Sequence, residues 1–597
     1  MTVKERIQAL RGLMKENGID VYLVPSADNH QSEYVGEHFK SREFITGFSG
    51  SAGDAVITMD QAGLWTDARY FIQANEQLAG SGIKLFKMGE PGVPTLEEFL
   101  NNVLPDNSVL GFDGRVVAMQ EGQAYADLLS PREIKISYEH DLINELWTKR
   151  PELSKESAFI LDEKYSGESV ASKLSRVRKA MEDSKANAHI LTTLDDICWL
   201  INLRGNDIEY SPMVLSYGII YPNKAELFID ESKLDNQAKA LLADNNFTLR
   251  PYNDIYEVVK NFDKGDTILI NPAKINYAIY NNIPEGVKKV ELPNPSTLFK
   301  SMKNPVEIEN IINAHIKDGV AVTRFMHWLK TTIGKEKITE ITASEKLDSF
   351  RQEGEGYLWQ SFEPICAYKD HAAIVHYSAT PETDVELFPK GMFLTDTGGN
   401  YYEGSTDITR TFILGSITDE EKLHFTTVAR SMINLSKARF LYGCRGYNLD
   451  ILARQPLWDL DLDYKHGTGH GVGYLLSIHE GPAGFRWQVV PSKNETHVIE
   501  EGMVITDEPG IYIENSHGVR TENELVVRKG TANEFGQFMH FETITYVPID
   551  LDGIDPNAMT TEERAYLNSY HKKVFDTISP YLNDEEKDWL KKYTREI

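Results

Sequence analysis

Residues 391–411, GMFLTDTGGNYYEGSTDITRT, decide how the rest of the chain is read. Met392 to Leu394 is an apolar run, and Ile408 to Leu414 is rich in β-branched and apolar residues. Gly398-Gly399-Asn400 is a turn signal, so the stretch reads as two strands around a turn. Each strand carries one acid where apolar sequence meets polar, Asp396 and Asp407, and folding the hairpin brings these acids towards each other. Two bare carboxylates at close range repel, and one of them would hold a proton. A bound divalent cation reverses that logic and makes both anions favourable. Two acids beside a bend are also ordinary turn formers, so the choice rests on residues further along the chain.

Three later stretches bear on it. In Tyr464 to Tyr474, YKHGTGHGVGY, His466 and His470 stand four apart among four glycines. In an extended chain that even spacing puts both rings on one side, and the glycines admit close approach of the backbone. No Gly-Lys-Ser/Thr closes the motif, and its glycine spacing is not the dinucleotide pattern, which argues against a phosphate cradle. In Gly502 to Tyr512, GMVITDEPGIY, Met503 to Thr506 reads as a buried strand with Glu508 at its end. Pro509 keeps Glu508 extended. In Gly518 to Val527, GVRTENELVV, strand alternation places Arg520, Glu522 and Glu524 on one face. An arginine beside a carboxylate locks it as an anion and orients it.

The candidates are Asp396, Asp407, His470, Glu508 and a glutamate from the 518–527 strand, where alternation alone leaves both Glu522 and Glu524 open. Four carboxylates carry four negative charges, two divalent cations carry four positive ones, and a neutral imidazole completes the set. The cluster is therefore self-neutralising as a two-metal site. Oxygen-rich ligands with a single nitrogen suit Mn²⁺, Co²⁺ or Zn²⁺, and hard carboxylates favour Mn²⁺. Two such ions ~3.5–4 Å apart activate a bridging water and polarise a carbonyl.

The order Asp, Asp, His, Glu, Glu, with the strings TDTGGNYYEGSTDITRT, HGTGHGVG, IHEGP, TDEPG and RTENE, resembles the dinuclear metallopeptidases of the pita-bread fold. These are methionine aminopeptidase, prolidase and aminopeptidase P. The resemblance spans nearly the whole chain and is nearest to the long, three-domain, cytosolic Xaa-Pro aminopeptidases. It implies metal ligands Asp396, Asp407, His470, Glu508 and Glu522, the family pattern Arg-x-Glu selecting Glu522 over Glu524. It also implies an α/β (α+β) chain, with two creatinase-N-like α/β domains ahead of a pita-bread catalytic domain.

Composition agrees with a large globular protein. The chain has 597 residues, 41% hydrophobic and 25% charged, and a formal net charge of −28, which disfavours nucleic-acid binding. Cys198, Cys366 and Cys444 are odd in number, far apart and not in a metal pattern, so they are expected to be reduced and buried, as in the cytosol. The N-terminal stretch is an amphipathic helix pattern without the apolar core of a signal peptide. No run approaches the ~18 apolar residues of a membrane span.

Residues 1–152 read as an α/β domain. A helix is expected from Val3 to Asn17, then a strand at Val21 to Val24, a Gly/Ser turn into a strand over 46–58, and LWTDARYF at 64–71. Ser49 and Ser51 do not make a nucleophile elbow, because neither has glycine at both flanking positions the motif requires. KRPELSKE at 149–156 reads as a linker. Residues 158–298 repeat the earlier order, with a helix from Lys173 to Ser184, a strand at Ala188 to Thr192 and a strand pair across Pro222-Asn223. This predicts a diverged duplicate of the first domain. A second break falls at LPNPST, 292–297. The catalytic domain, 303–597, opens with a long helix after Asn304-Pro305. Its two halves are expected to supply the aspartates on one side and His470 with the glutamates on the other. Residues beyond about 550 read as a charged helical extension, on the surface or at a dimer contact.

His376, in AAIVHYS after an apolar strand-like run, and His479, in SIHEGP before a Gly-Pro turn, match the family's two active-site histidines. His466 matches a third near the substrate pocket, and Tyr512 a tyrosine the family also uses. His371 has no such match. The resemblance implies that His376, His479 and Glu508 are catalytic. It also implies that His376, His466, His479 and Tyr512 bind substrate, and that Arg520 holds the ligand cluster from behind. A hydroxide between the metals would attack the carbonyl before proline, and Glu508 would take up and pass on the water's proton. One metal and His376 or His479 would stabilise the oxyanion. The proline nitrogen, having no N–H, would need a proton to depart.

The expected activity is release of the N-terminal residue from peptides with proline second, by a cytoplasmic homodimer that binds neither nucleic acid nor membrane. The alternatives are prolidase, confined to Xaa-Pro dipeptides, and a non-catalytic pita-bread protein that binds peptides or histones. Three domains stand against the first and the complete ligand set against the second. Methionine aminopeptidase lacks such N-terminal domains.

Overall fold

The computed structural model describes residues 1–490 and 495–597. The chain divides into two compact units, one of residues 1–160 and 168–296, the other of 161–167 and 297–597.

The first unit is built from two six-stranded sheets. One runs, edge to edge, Lys84–Lys87, Ala62–Thr66, Asp54–Thr58, Val21–Val24, Val109–Gly111, Lys135–Ser137. The other runs Phe247–Arg250, Ala225–Ile229, Ser216–Ile220, Ala188–Leu191, Thr267–Ile270, Lys288–Glu291. Both follow one pairing sequence across the sheet: parallel, antiparallel, antiparallel, parallel, parallel. The same order recurs in the helices. Val3–Glu16, capped by Thr2, precedes the strand Val21–Val24, and Val170–Asp183, capped by Ser169, precedes Ala188–Leu191. Ser51 belongs to a packed turn, its hydroxyl 2.6 Å from that of Tyr70. Cys198 and Cys366 are buried and unbridged as expected, whereas Cys444 is only half-buried.

The second unit opens with the 28-residue helix Pro305–Thr332. Asn304 caps it with Glu307 in a reciprocal capping box, and proline occupies the first turn. Its buried stripe includes Ile308, Ile311, Val322, Phe325 and Leu329, each such side chain contributing about 1.5–3 kcal/mol on burial. Asp318 on this helix accepts two hydrogen bonds from Arg351, at 2.6 and 3.1 Å, and one from Thr406 at 2.6 Å; Arg351 also donates to Thr397. The helix is thereby tied to the strand that carries Asp396.

Met392–Thr397 pairs with Ile408–Ile413 in antiparallel register, and Ile365–Tyr368 completes a three-stranded sheet. The chain does not reverse at Gly398-Gly399-Asn400, as its composition predicts. Gly399–Tyr401 leaves for a second small sheet, and the reversal comes at Tyr402-Glu403. Gly398 is needed for close approach rather than for a turn. A Cβ there would lie 1.8 Å from the Thr406 carbonyl oxygen and 2.2 Å from Ser361 Oγ.

A six-stranded antiparallel sheet has Gly469–Gly471, Val504–Asp507 and Asn523–Asn533 among its strands, and the remaining candidates lie on or beside them. The strand expected over 518–527 is broken at Thr521 and Glu522, with His517–Arg520 pairing in a separate two-stranded sheet, so Arg520, Glu522 and Glu524 do not share one strand face. Only Gly469–Gly471 of the histidine string is strand, so His466 and His470 do not share one extended face; the chain bends through Lys465 and His466 first. Gly481-Pro482, a cis bond, lies inside the edge strand Glu480–Phe485 rather than in a turn. Proline is tolerated there because an edge strand need not donate on both sides. Ala372 to Tyr377 is not a strand either. It is the end of a 3₁₀ turn followed by an irregular bend that carries His376.

The C-terminal helices are core elements, not a surface appendage. Leu567, Tyr570, Val574 and Ile578 of Thr561–Ile578 pack with Met392, Ile413, Phe425 and Val428, so the apolar stripe outweighs the charged composition.

Candidate active site

The acids named from sequence converge where the three-stranded sheet meets the six-stranded one. Asp407, His470 and Glu522 each present one ligand atom within 4.8 Å of the others. His470 Nε2 is 3.4 Å from Asp407 Oδ2 and 3.6 Å from Glu508 Oε1. Asp396 enters from the neighbouring strand, where its register partner is Thr409.

Each side chain is aimed by a bond behind it. Glu522 Oε2 accepts from Thr409 Oγ1 at 2.8 Å, and the Glu522 N–H donates to the Thr409 carbonyl at 3.1 Å. The Asp407 N–H donates to Glu524 Oε1 at 2.8 Å, so the second glutamate of the pair buttresses a ligand candidate instead of facing the cluster. The Glu508 N–H donates to the Thr468 carbonyl at 2.7 Å, joining the histidine string to the TDEPG strand. His470 Nδ1 donates to the Gly471 carbonyl at 2.9 Å, which leaves Nε2 to face the carboxylates.

Electrostatically, the cluster calls for positive charge. Burial first, with repulsion from the neighbouring carboxylates, raises Asp407, Glu508 and Glu522. Asp407 moves to about 6, Glu508 rises, and Glu522 stands well above the usual carboxylate range, pushed further by Asp407, Glu508 and Asp396. Burial alone would lower His470, but its bond to Asp407 and the charge of Glu508 carry it up to about 10. Asp396 Oδ1 is buried and has no hydrogen-bond partner among the described residues. A buried carboxylate oxygen with no donor, beside three other acids and an imidazole nitrogen, fits divalent cations of the hard-to-borderline kind.

Arg520 supplies the organic cation. Its guanidinium donates to Asp396 Oδ2 at 2.5 Å, to the Tyr512 hydroxyl at 2.6 Å and to the Val375 carbonyl at 3.5 Å, next to His376. Tyr512, its own pKa raised to about 12 by burial, passes the relay on by donating to His466 Nε2 at 2.8 Å. His466 Nδ1 donates to the Gly467 carbonyl at 2.7 Å. Both ring nitrogens of His466 are thus engaged by protein, and burial, with Arg520 nearby, lowers its pKa to about 3. The His479 ring stands edge-on to that of His470, centroids 4.2 Å apart. His371 belongs elsewhere, 2.9 Å from the buried Glu340.

The residues that sequence reasoning passed over are Thr409 and Arg410. Alternation along 407–411 puts Asp407, Thr409 and Thr411 on one face, and Thr411 Oγ1 donates to the Arg520 carbonyl at 3.0 Å. That polar threonine face inside an apolar strand was the available signal.

Residues 6–146 match the creatinase/prolidase N-terminal domain and residues 149–307 a second version of it. Residues 309–529 match metallopeptidase family M24, and 537–597 the C-terminal region of that peptidase family. Aminopeptidase P1 of Arabidopsis thaliana is 36% identical over 100% of this chain and 99% of its own length. Xaa-Pro aminopeptidase 1 of Dictyostelium discoideum is 36% identical over 99% and 96%. A crystal structure of X-prolyl aminopeptidase from Caenorhabditis elegans, described as a cytosolic enzyme with a di-nuclear active site, superposes with a TM-score of 0.95 at 32% identity, over 100% of both chains. The Xaa-Pro dipeptidase from Bacillus anthracis shares only the fold, at 23% identity and TM-score 0.52, over 64% of this chain and 99% of that one.

Proposed function

The chain belongs to metallopeptidase family M24, with creatinase-type α/β domains ahead of a pita-bread domain, and from that premise we propose that it is an Xaa-Pro aminopeptidase. Its reaction is hydrolysis of the bond between an N-terminal residue and a following proline. The observation that carries this reading is the convergence of Asp407, His470 and Glu522 within 4.8 Å in a chain alike from end to end to aminopeptidases P. The dipeptidase alternative has a likeness of fold over part of the chain and no more.

In this reading Asp396, Asp407, His470, Glu508 and Glu522 hold two divalent ions, Mn²⁺ by the hardness of four carboxylates, with Co²⁺ and Zn²⁺ as alternatives. When bound, such ions supply a water acidic enough to act as nucleophile near neutral pH and an electrophile for the scissile carbonyl. The protein's part is to hold, orient and move protons. Glu508, raised by burial, accepts a proton on its carboxylate and releases it towards the leaving nitrogen. His376 and His479 supply N–H donors for the oxyanion and the departing amine. Arg520 holds Asp396 aimed at the cluster. His466 and Tyr512 shape the pocket for the substrate.

We read residues 1–152, 158–298 and 303–597 as the three domains. A cytoplasmic homodimer is supported by two observations. The Caenorhabditis enzyme is described as cytosolic, and the catalytic unit exposes the large apolar side chains Tyr442 and Phe535, the latter 73% accessible. No helix among the described residues is long and apolar enough to cross a membrane.

The test is a cleavage panel with Arg-Pro-Pro, Ala-Pro and Met-Ala-Ser, in Mn²⁺ and then in chelator. Cleavage of the first alone, abolished by chelator, is the expected result. Good cleavage of Ala-Pro with none of the tripeptide would make the protein a dipeptidase.

A further inference from the structure

Strand Ile408–Ile413 has two faces. Thr409 and Thr411 look towards Glu522 and Arg520, while Ile408 and Phe412 sit in the apolar core beneath. Arg410 is on that second face and almost wholly buried. A buried guanidinium ordinarily has a carboxylate beside it. Among the described residues Arg410 has only neutral oxygens. Nη1 donates to the carbonyls of Thr409, at 2.8 Å, and Glu522. Nη2 donates to Asn523 Oδ1 at 2.7 Å, the Val547 carbonyl at 2.8 Å and the Tyr570 hydroxyl at 2.8 Å, and Nε to the Pro548 carbonyl at 3.3 Å.

These acceptors come from three separate parts of the chain. Thr409 follows Asp407 by two residues. Glu522 is itself the other ligand candidate, and Asn523 opens the strand Asn523–Asn533 that follows it. Val547, Pro548 and Tyr570 belong to the C-terminal region, where the Tyr570 hydroxyl also donates to the Val547 carbonyl at 2.6 Å. One planar, five-donor group therefore sets the spacing between the strand that follows Asp407 and the strand that follows Glu522, and the C-terminal helix sets the position of that group. Lysine could not replace it, having three donors on a single nitrogen.

We propose that Arg410, backed by Tyr570, is a positioning residue for the metal centre, and that the C-terminal helical region is part of the machinery that makes the centre bind metal. The proposal rests on the reading of Asp407 and Glu522 as ligands. Arg410 touches neither substrate nor the reacting atoms.

The experiment titrates Mn²⁺ into the metal-free full-length protein by calorimetry, for wild type, Arg410→Lys, Tyr570→Phe and Asp407→Asn, with a melting curve and steady-state kinetics for each. Arg410→Lys should bind Mn²⁺ about 10–100-fold more weakly, with kcat reduced at limiting metal and KM unchanged. Tyr570→Phe, which removes one hydroxyl and no charge, should show the same pattern at a loss of roughly threefold or more. If Asp407→Asn loses affinity while both other variants bind like wild type, whatever their melting temperatures, Arg410 is merely structural and the proposal is overturned. If Asp407→Asn itself binds two Mn²⁺ with wild-type affinity, the ligand reading falls and takes the proposal with it. Should Arg410→Lys fail to fold, the Tyr570→Phe result alone decides.

Discussion

The Tyr512 hydroxyl donates to His466 Nε2 at 2.8 Å while it accepts from Arg520 at 2.6 Å, so one phenol oxygen couples a histidine to the arginine that pairs with Asp396. The direction of every proton in the relay is set: arginine to tyrosine, tyrosine to histidine, histidine to the Gly467 carbonyl. His466 is held as the neutral tautomer with its proton on Nδ1.

Removing that oxygen should cost catalysis, and some stability with it, while the protein still folds. Tyr512→Phe leaves His466 Nε2 and one guanidinium N–H without a partner in a buried site, a loss of about 1–3 kcal/mol. Cleavage of Arg-Pro-Pro should fall by about 10–100-fold in kcat/KM, since each ~1.4 kcal/mol is a factor of ten. Steady-state kinetics, with a melting curve to show that the protein remains folded, checks it. A variant with undiminished kcat/KM would leave the relay without a role.

Glu508→Gln keeps the shape of the site and removes its proton acceptor. The expected drop in kcat is about 10²–10⁴-fold. Measured at saturating Mn²⁺, the loss should persist, which separates proton transfer from loss of metal.

Chelation should destabilise as well as inactivate. A ligand that binds the folded state alone stabilises it by about 2.7 kcal/mol at a hundred times its dissociation constant. Dialysis against chelator should therefore lower the melting temperature of the wild type, and added Mn²⁺ should restore it. The Asp407→Asn chain should show little of this response. Equal metal-dependent shifts in the two proteins would place the cations elsewhere.

Arg351→Met tests the packing that carries the hairpin. Asp318 is wholly buried and takes two of its bonds from Arg351. Methionine would strand the carboxylate, at a cost of about 3–5 kcal/mol. The urea midpoint should fall accordingly, and the double variant Arg351→Met with Asp318→Leu should recover most of the loss.

Acid should loosen the catalytic unit through His571. Burial first, and then the charges of Arg410 and Arg595, depress this histidine to about 3 from an ordinary 6.5, and its Nε2 accepts the Ile549 N–H at 3.1 Å. Between those two pH values the unfolded chain binds a proton that the folded chain refuses. Stability is complete above about pH 6.5 and declines as pH falls, with a limiting slope near 1.4 kcal/mol per pH unit for this group. His571→Gln, which keeps an acceptor and cannot titrate, should flatten the decline by that amount in denaturation series between pH 7 and 5.

The chemistry was more legible in the chain than the path of the backbone. Asp396, Asp407 and Glu508 stand out because each lies where an apolar run meets polar sequence, whereas choosing Glu522 over Glu524 took the family resemblance, since alternation alone left both open. The α/β repeat was readable from a helix and short strand occurring twice, and the two sheets share one strand order. What composition could not disclose was long-range. The glycines at 398 and 399 resemble a turn, but the approach of the Thr406 carbonyl is what requires Gly398. HGTGHG resembles a strand, and its chain bends because His466 is claimed by Tyr512, 46 residues onward. Glu524 resembles a ligand, and it is taken up by the Asp407 amide. Charge in the last helices masked an apolar stripe that closes the core.

The bonding shell of Arg410 gathers residues 409, 522, 547 and 570. Translation delivers these in that order, so the shell cannot close until the last of them has left the ribosome. A chain cut short before Tyr570 would be released with every acid of the site in place and the shell of Arg410 left open. If Arg410 positions the metal centre as proposed, that centre is complete only once the late helices have been made.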